Sequence, residues 1–480
     1  RMMPGCVENT MHYDSIGRPA HQRVRHNGRT LYDKSYTWGD NLRLLQTFDT
    51  INGRSVRYDY DAFGSLSGAV YGDGSRQWRN PDAMGNVYDS PDRTDRSYGR
   101  GGQLREDRKW RYYYDSHGNL VLKTMRRMEP SRNAEARDEF LQWQSGDYAY
   151  TWQGNGVLRS VTRPDGKTIT FKYDALGRRI EKVFDGRVYR YLWDGDVILH
   201  EWDYAEADRP NTIVTETGEV TLDRPEPVEN LITWVYDSDS YVPTAKIVGD
   251  KHYSIVSDYI GRPVQAYDDN GNIVWQADYD IYGNLRNLHG SRRFIPFRQL
   301  GQYENEETGL YYNRFRYYDP RIGIYISQDP IGLAGNNPTL YAFVTDPNLW
   351  KDMFGLDVSS GAGRTHVTYH GIKNGKPYTG YASAPSELGL SASEIVSRRY
   401  GGDFSQFGGR APEVLYKGED ISGKHTARGL EQRFYEMDVN KFGKEGVANK
   451  QNPVGKNNKN RQSYLDTADS FLEKNKVTCS

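Results

Sequence analysis

At 480 residues the chain is too long for one ordinary domain, and its 38 Tyr, 49 Gly and only 36% hydrophobic residues suggest β-structure with many tight turns. Its net charge of −1 hides an asymmetry, because the segment after Leu356 has a modest Lys/Arg excess that permits nucleic-acid contact without establishing it. Cysteines only at Cys6 and Cys479 exclude a disulfide framework or Cys-based zinc site, no apolar run reaches transmembrane length, and Arg1–Cys6 has no apolar signal-peptide core.

The first part of the chain is repetitive. Tyr-Asp-x-x-Gly units stand at Tyr13–Gly17, Tyr60–Gly64, Tyr114–Gly118, Tyr173–Gly177 and Tyr279–Gly283, with degenerate copies such as Trp38–Leu42, Trp152–Leu158 and Trp193–Val197 between them. Tyr and Trp favour a half-buried pleated surface, and Asp followed by Gly favours a hairpin turn with positive φ. Alternation in the strand after such a turn, as in Arg178–Val183, places apolar residues on one face. One hairpin cannot bury its face alone, so neighbours are expected to stack into an extended sheet. Because the chain begins inside a repeat, it is expected to be the C-terminal part of something longer. Met128–Asp138 and the acidic, Pro-containing Asp203–Glu229 are expected to be surface loops or insertions.

These repeats resemble the YD repeats of Rhs and teneurin-like proteins. The resemblance implies a mainly β fold, a partial spiral YD-repeat shell over residues 1–295, of the kind that encloses a cargo. Residues 296–356 resemble the Rhs core-associated segment, through the run Gly301–Pro320 (GQYENEETGLYYNRFRYYDP) and two boxes, Asp329-Pro-Ile-Gly-Leu333 and Asp352-Met-Phe-Gly-Leu356, separated by 18 residues. In the family the chain is cut just after the second box. The resemblance therefore implies that Asp329 and Asp352 cut the Leu356–Asp357 bond by aspartic-protease logic, one carboxyl held protonated by burial and by its partner's charge. Met353 stands where the family has proline, and Asp346-Pro347 lies close by as a less well-spaced substitute. Both boxes also suit turns joining strands.

After the Gly/Ser-rich linker 357–363, strands are expected at 366–369, 377–382 and 412–416 and helices from Ser391 to about Tyr400, from Thr426 to about Val439, and from Arg461 to about Glu473. Leu430, Phe434 and Met437 are expected on one face of the middle helix. This order resembles the small α+β GIY-YIG (URI) nuclease fold. Val367-Thr-Tyr369 stands for Gly-Ile-Tyr and Tyr378-Thr-Gly380 for Tyr-Ile-Gly. Arg398 or Arg399 supplies the helix arginine, Glu431 the metal-binding glutamate and Asn449 the downstream asparagine. What the resemblance implies is a metal-dependent nuclease. A tyrosine would act on water, an arginine would neutralise the phosphate, and Glu431 would hold Mg²⁺ or another divalent cation. No cofactor is implied for the self-cleavage.

Family membership further implies a secreted effector, exported by a type VI or related contact-dependent route through a spike or adaptor. It would act on DNA or RNA in the target-cell cytoplasm and be neutralised at home by an immunity protein. Different cargo in the same shell is the alternative, either an ADP-ribosyltransferase or a deaminase; so is a non-enzymatic surface YD-repeat protein. His366, His370 and His425 form no HExxH or HNH pattern, and a deaminase would want a His/Cys zinc set.

Overall fold

The computed structural model describes residues 2–3, 6–15, 17–39, 42–128, 138–237, 240–335, 339–356, 359–360, 364–385, 390–400, 402–455, 458 and 460–475. Cys479, Asp357 and most of the segment 128–138 therefore lie outside the described residues. The chain divides into two compact units, Arg1–His12 with Pro19–Val358, and Ser359–Ser480 with Tyr13–Arg18. The segment 296–356 thus belongs to the first unit.

The first unit is built from antiparallel neighbours. Eight strands from Met2–Met3 to Arg76–Trp78 form one sheet, and sixteen strands from Ser97–Tyr98 to Leu285–His289 form a second. Each Asp-x-x-Gly turn is closed by its own side chain. At Asp61, the carboxylate accepts from the N–H groups of Phe63 at 2.9 Å and Ser65 at 2.8 Å, while Gly64 takes φ +87°. The same bonds recur at Asp174 and Asp280, which explains why the repeat keeps Asp and Gly three residues apart.

In several copies the aromatic residue before that Asp has a second job. It sits at or just after a shift in strand register, and its polar tip donates to a main-chain carbonyl just after an earlier turn. Tyr60 bonds Leu44 O at 3.0 Å, Tyr173 bonds Leu158 O at 2.8 Å and Tyr279 bonds Pro263 O at 2.7 Å. In the degenerate copies, the Trp152 Nε1–H reaches Leu120 O at 2.7 Å and Trp193 reaches Arg179 O at 2.8 Å. Tyr and Trp interchange here because each carries a donor at the far end of an apolar ring.

The region expected as the 203–229 insertion is only partly loop. A sheet strand runs through it to Ala205, and Thr212–Val214 pairs with Val220–Leu222 as a separate exposed hairpin.

Four short strands, β1 (Tyr303–Asn305), β2 (Leu310–Asn313), β3 (Arg316–Asp319) and β4 (Ile324–Tyr325), form an inner sheet whose residues are all buried. One face, with Tyr312, Tyr317 and Ile324, shares a core with Tyr112, Phe171, Trp234 and Trp275 of the sixteen-stranded sheet. The other, with Tyr311, Tyr318 and Tyr325, packs on Phe343 and Val344. Arg179 ties the layers together. Its guanidinium donates to Asn305 Oδ1 at 2.7 Å and lies 4.7 to 5.6 Å from the ring centres of Phe171, Tyr191, Tyr303 and Tyr312.

In the second unit, β5 (Arg364–Lys373) is central in a three-stranded sheet between β6 (Lys376–Pro385) and β7 (Glu413–Glu419). Helix α1 (Ala392–Arg399) opens with the expected capping box of Ser391 and Glu394. Helix α2 runs Asp420–Phe442, longer than expected, and α3 runs Arg461–Asn475. The buried face of α2 carries Ala427, Leu430, Glu431 and Tyr435; Met437, expected on it, is 41% exposed. Seven residues bring the helix back to within about 20° of Leu430, so phase does not take Met437 off the stripe; it lies about two turns further along α2, toward its C-terminal end. No described helix is long and apolar enough to cross a membrane.

Candidate functional site

In the first unit the geometry converges on Arg316. This residue is wholly buried in β3, and its Nη2 lies 3.0 Å from Asp329 Oδ2 and 3.2 Å from Asp352 Oδ2. One guanidinium nitrogen therefore bridges the aspartates of the two boxes, while Nε donates to the carbonyl of Gly355. The Leu356 N–H donates to Asp352 Oδ1 at 2.8 Å, and the Tyr325 hydroxyl to Asp352 Oδ2 at 2.9 Å. Asn313 Nδ2 reaches the Asp352 carbonyl at 2.7 Å.

Each box is also a turn. Asp329 Oδ1 accepts from the Ile331 N–H at 2.9 Å, and Asp352 accepts from the residue four positions on, as the repeat aspartates do. Gly355 has φ +67°, and a Cβ there would press on the Asn313 carbonyl and Arg316, so the glycine lets the chain lie against β2 and β3. Burial pushes the Asp352 carboxyl above its ordinary value, opposed by Arg316, the Leu356 N–H and Tyr325 and reinforced by Asp329.

Leu356 is half-buried, and its partner Asp357 in the expected scissile bond lies outside the described residues. Met353 and Phe354 face a small cavity lined with Trp193, Tyr241 and Phe297. Asp346 lies apart from this centre. It is among Tyr60, Arg79, Asn348 and Arg262, and burial raises its pKa to about 6. Sequence reasoning missed Arg316, Tyr325 and Asn313. The available signal was a charged residue inside an aromatic run, Asn313-Arg-Phe-Arg-Tyr-Tyr318, that reads as fully buried strand.

In the second unit, β5 and β6 bring Tyr369 and Tyr378 together, with ring centres 6.4 Å apart. Tyr369 is buried, and its hydroxyl bonds that of Tyr400, the residue after α1, at 2.9 Å. Burial first, then the neighbouring phenols, push Tyr369 well above the ordinary tyrosine value and also raise Tyr378, so both stay neutral. Burial works against the Arg399 charge, but Tyr369, Tyr378 and Tyr400 around it raise its pKa. Of the two candidate arginines, Arg399 faces the phenols, and both side chains reach solvent.

Glu431 on α2 is buried and paired with Arg428; burial raises it to about 7, opposed by Arg428 and Arg399, and its charge reaches Tyr378. Asn449 clamps the strand beside Tyr378, accepting from Thr379 N at 3.2 Å and donating to Thr379 O at 2.8 Å.

Among the described residues no three His, Cys, Asp or Glu side chains cluster as a metal cage. His370 pairs with Asp438 at 2.9 Å and His425 with Ser463 at 2.9 Å. Glu431, although paired with Arg428, offers one carboxylate, and a hydrated Mg²⁺ can be held through a single protein carboxylate because it keeps several waters.

The Teneurin YD-shell family model matches residues 5–340. Among known relatives, double-stranded DNA deaminase toxin A of Burkholderia cenocepacia (strain H111) is 30% identical over 387 residues, covering 74% of this chain and 24% of that protein. Probable deoxyribonuclease RhsA of Dickeya dadantii (strain 3937) is 32% identical over 263 residues, with 54% and 16% covered. Toxin protein Tse5 of Pseudomonas aeruginosa is 31% identical over 391 residues, with 71% and 28% covered. The chain spans less than a third of the length of these relatives.

Proposed function

Because the chain belongs to the Teneurin YD-shell family, we propose that it is the shell and cargo portion of an Rhs-type toxin, which cuts itself after Leu356 and frees a C-terminal nuclease. The observation that carries the cleavage step is the single Arg316 nitrogen shared by Asp329 and Asp352 beside the Leu356 N–H. Asp352, as carboxylate, takes a proton from water while the water oxygen attacks the Leu356 carbonyl carbon. Asp329, as carboxylic acid, gives its proton to the Asp357 nitrogen as the Leu356–Asp357 bond breaks. The products are a Leu356 carboxylate and a free Asp357 amine. Arg316 holds both carboxyls and draws the Gly355 carbonyl against the site, which fixes the segment before the scissile bond.

For the cargo, the GIY-YIG-like arrangement supports phosphodiester hydrolysis. The neutral phenols of Tyr369 and Tyr378 suit them to orient water rather than to deprotonate it, and Arg399 is placed to neutralise a phosphate oxygen. Glu431 would hold Mg²⁺, which polarises the leaving oxygen when bound, and Asn449 fixes the strand that carries Tyr378.

Two measurements test the two halves. Intact-mass analysis of the expressed chain is expected to give a fragment ending at Leu356, and Asp352→Asn to leave the chain whole; an uncut wild-type chain sinks the cleavage reading. Incubation with plasmid and total RNA, with and without Mg²⁺, is expected to give metal-dependent degradation of one of them. Folded protein that degrades neither sinks the nuclease reading. Export, an immunity protein and action in the target-cell cytoplasm belong to the same proposal, supported by the toxin names of the relatives.

A further inference from the structure

We propose that Tyr325 is a positioning residue of the self-cleavage centre, directing its hydroxyl at Asp352 so that this aspartate serves as the base of the pair. The inference rests on the self-cleavage reading above. Tyr311, Tyr318 and Tyr325 line one face of the inner sheet, stacked as cross-strand neighbours. The first two send their hydroxyls to main-chain carbonyls, of Gly283 at 3.0 Å and Tyr282 at 2.8 Å. Tyr325, fully buried, instead donates to a carboxylate, Asp352 Oδ2, at 2.9 Å.

Two neighbours fix that direction. Asn313 Nδ2 donates to the Tyr325 oxygen at 2.7 Å, which occupies a lone pair and leaves the phenol hydrogen to face Asp352. The Arg316 guanidinium carbon lies 3.8 Å from the centre of the Tyr325 ring, so the ring also sets the plane from which Nη2 reaches both aspartates.

A carboxylate that accepts from a phenol, a guanidinium and a main-chain N–H is favoured in its charged form. The charged and titratable groups facing Asp352 are Arg316, Asp329 and Tyr325. The net shift of the Asp352 carboxyl is upward, from burial first with Asp329 adding to it, and Arg316, the Leu356 N–H and Tyr325 limit that rise and so keep the carboxylate available as a base. Burial and then Asp352 itself hold the Tyr325 phenol well above its ordinary value, so it remains a donor throughout the neutral range. Without the hydroxyl, Asp352 protonates at higher pH and the acid limb of the cleavage rate moves up.

The test follows the Leu356-ended fragment from freshly synthesised full-length chain between pH 6 and 8.5, in wild type, Tyr325→Phe and Tyr318→Phe. In Tyr325→Phe, cleavage is expected to be about tenfold slower near pH 6.5, with the limb displaced upward by about one pH unit and the rate recovering toward pH 8.5. Tyr318→Phe loses a comparable buried hydroxyl that touches no carboxylate, and is expected to keep the wild-type profile.

A wild-type profile for Tyr325→Phe overturns the proposal, and so does an equal displacement in Tyr318→Phe. If the wild-type chain forms no fragment, the self-cleavage reading fails and takes this role with it. Should Tyr325→Phe fail to fold, Asn313→Ser must show the displacement, because it leaves the ring in place and frees the hydroxyl to turn. An unmoved profile there is equally decisive against the role.

Discussion

Gly380 stands directly across the β5–β6 hairpin from Tyr369, and a Cβ on Gly380 would land on the Tyr369 phenol. The glycine of Tyr378-Thr-Gly380 is thus the seat of the other motif's tyrosine ring. Gly380→Ala is expected to cost about 1–3 kcal/mol of stability in the second unit through overpacking. It should also lower nucleic-acid cleavage by about tenfold or more by displacing Tyr369. Calorimetry and the plasmid or RNA assay check the two effects; unchanged melting and activity together would contradict the packing argument.

Arg316→Lys keeps the buried positive charge but loses the fork. A single ammonium cannot serve Asp329, Asp352 and the Gly355 carbonyl as the guanidinium does. Self-cleavage is expected to fall by about a hundredfold or more. Intact-mass analysis after fixed times reads the uncut fraction, and wild-type cutting in the lysine variant would show that charge alone suffices.

Asp346 gives the first unit a pH dependence of known sign. Burial raises its folded-state pKa from 3.8 to about 6, so the folded chain holds a proton that the unfolded chain releases. This contribution to stability is present below about pH 4, is lost as the pH rises to about 6, and is flat above that. The loss is on the order of 2–3 kcal/mol. Asp346→Asn can keep the bond from the Asn348 N–H, which is 2.9 Å in the wild type, and removes the titration. Urea midpoints at pH 4 and 7 are expected to converge in the variant relative to wild type; identical pH dependence in both proteins would refute the assignment.

The aromatic donors of the repeat are individually measurable. Tyr173 bonds Leu158 O at 2.8 Å and meets the Tyr317 hydroxyl of β3 at 2.8 Å, so it links the large sheet to the inner one. Tyr173→Phe is expected to destabilise the first unit by about 1–3 kcal/mol, because both buried partners lose a bond. Equilibrium unfolding monitored by tryptophan fluorescence checks this, and a neutral result would mean that water replaces the phenol.

Much of this was legible in the sequence, because repetition states a local rule many times. The Asp and Gly of each unit were readable as a turn from their chemistry alone. The reason for the tyrosine was not. Its bond goes to a carbonyl 15 or 16 residues back, as from Tyr60 to Leu44 and Tyr173 to Leu158, and only the register of neighbouring strands brings the two together. The two Asp boxes announced themselves by spacing, but Arg316, which joins them, lies in a different strand and reads on its own as one more arginine in an aromatic run. In the second unit, the sequence left Arg398 and Arg399 equivalent. Helix phase separates them, since adjacent residues on α1 point about 100° apart and only one turns to the phenols. Helix α2 starts at Asp420 rather than at Thr426, where Gly423 weakens the helical propensity; Gly429 within it is held by packing, since a Cβ there would strike the Tyr464 carbonyl of α3.

The inner sheet also imposes an order in time. The two large sheets join sequence neighbours almost throughout, whereas β1–β4 are buried on both faces, between the sixteen-stranded sheet and Phe343 and Val344 further along the chain. Arg316 can bridge Asp329 and Asp352 only after both boxes, which follow β3 in the chain, have folded back onto it. The two acids are therefore brought together only by the packed arrangement around Arg316. Under the proposed self-cleavage, folding itself would then time the cut.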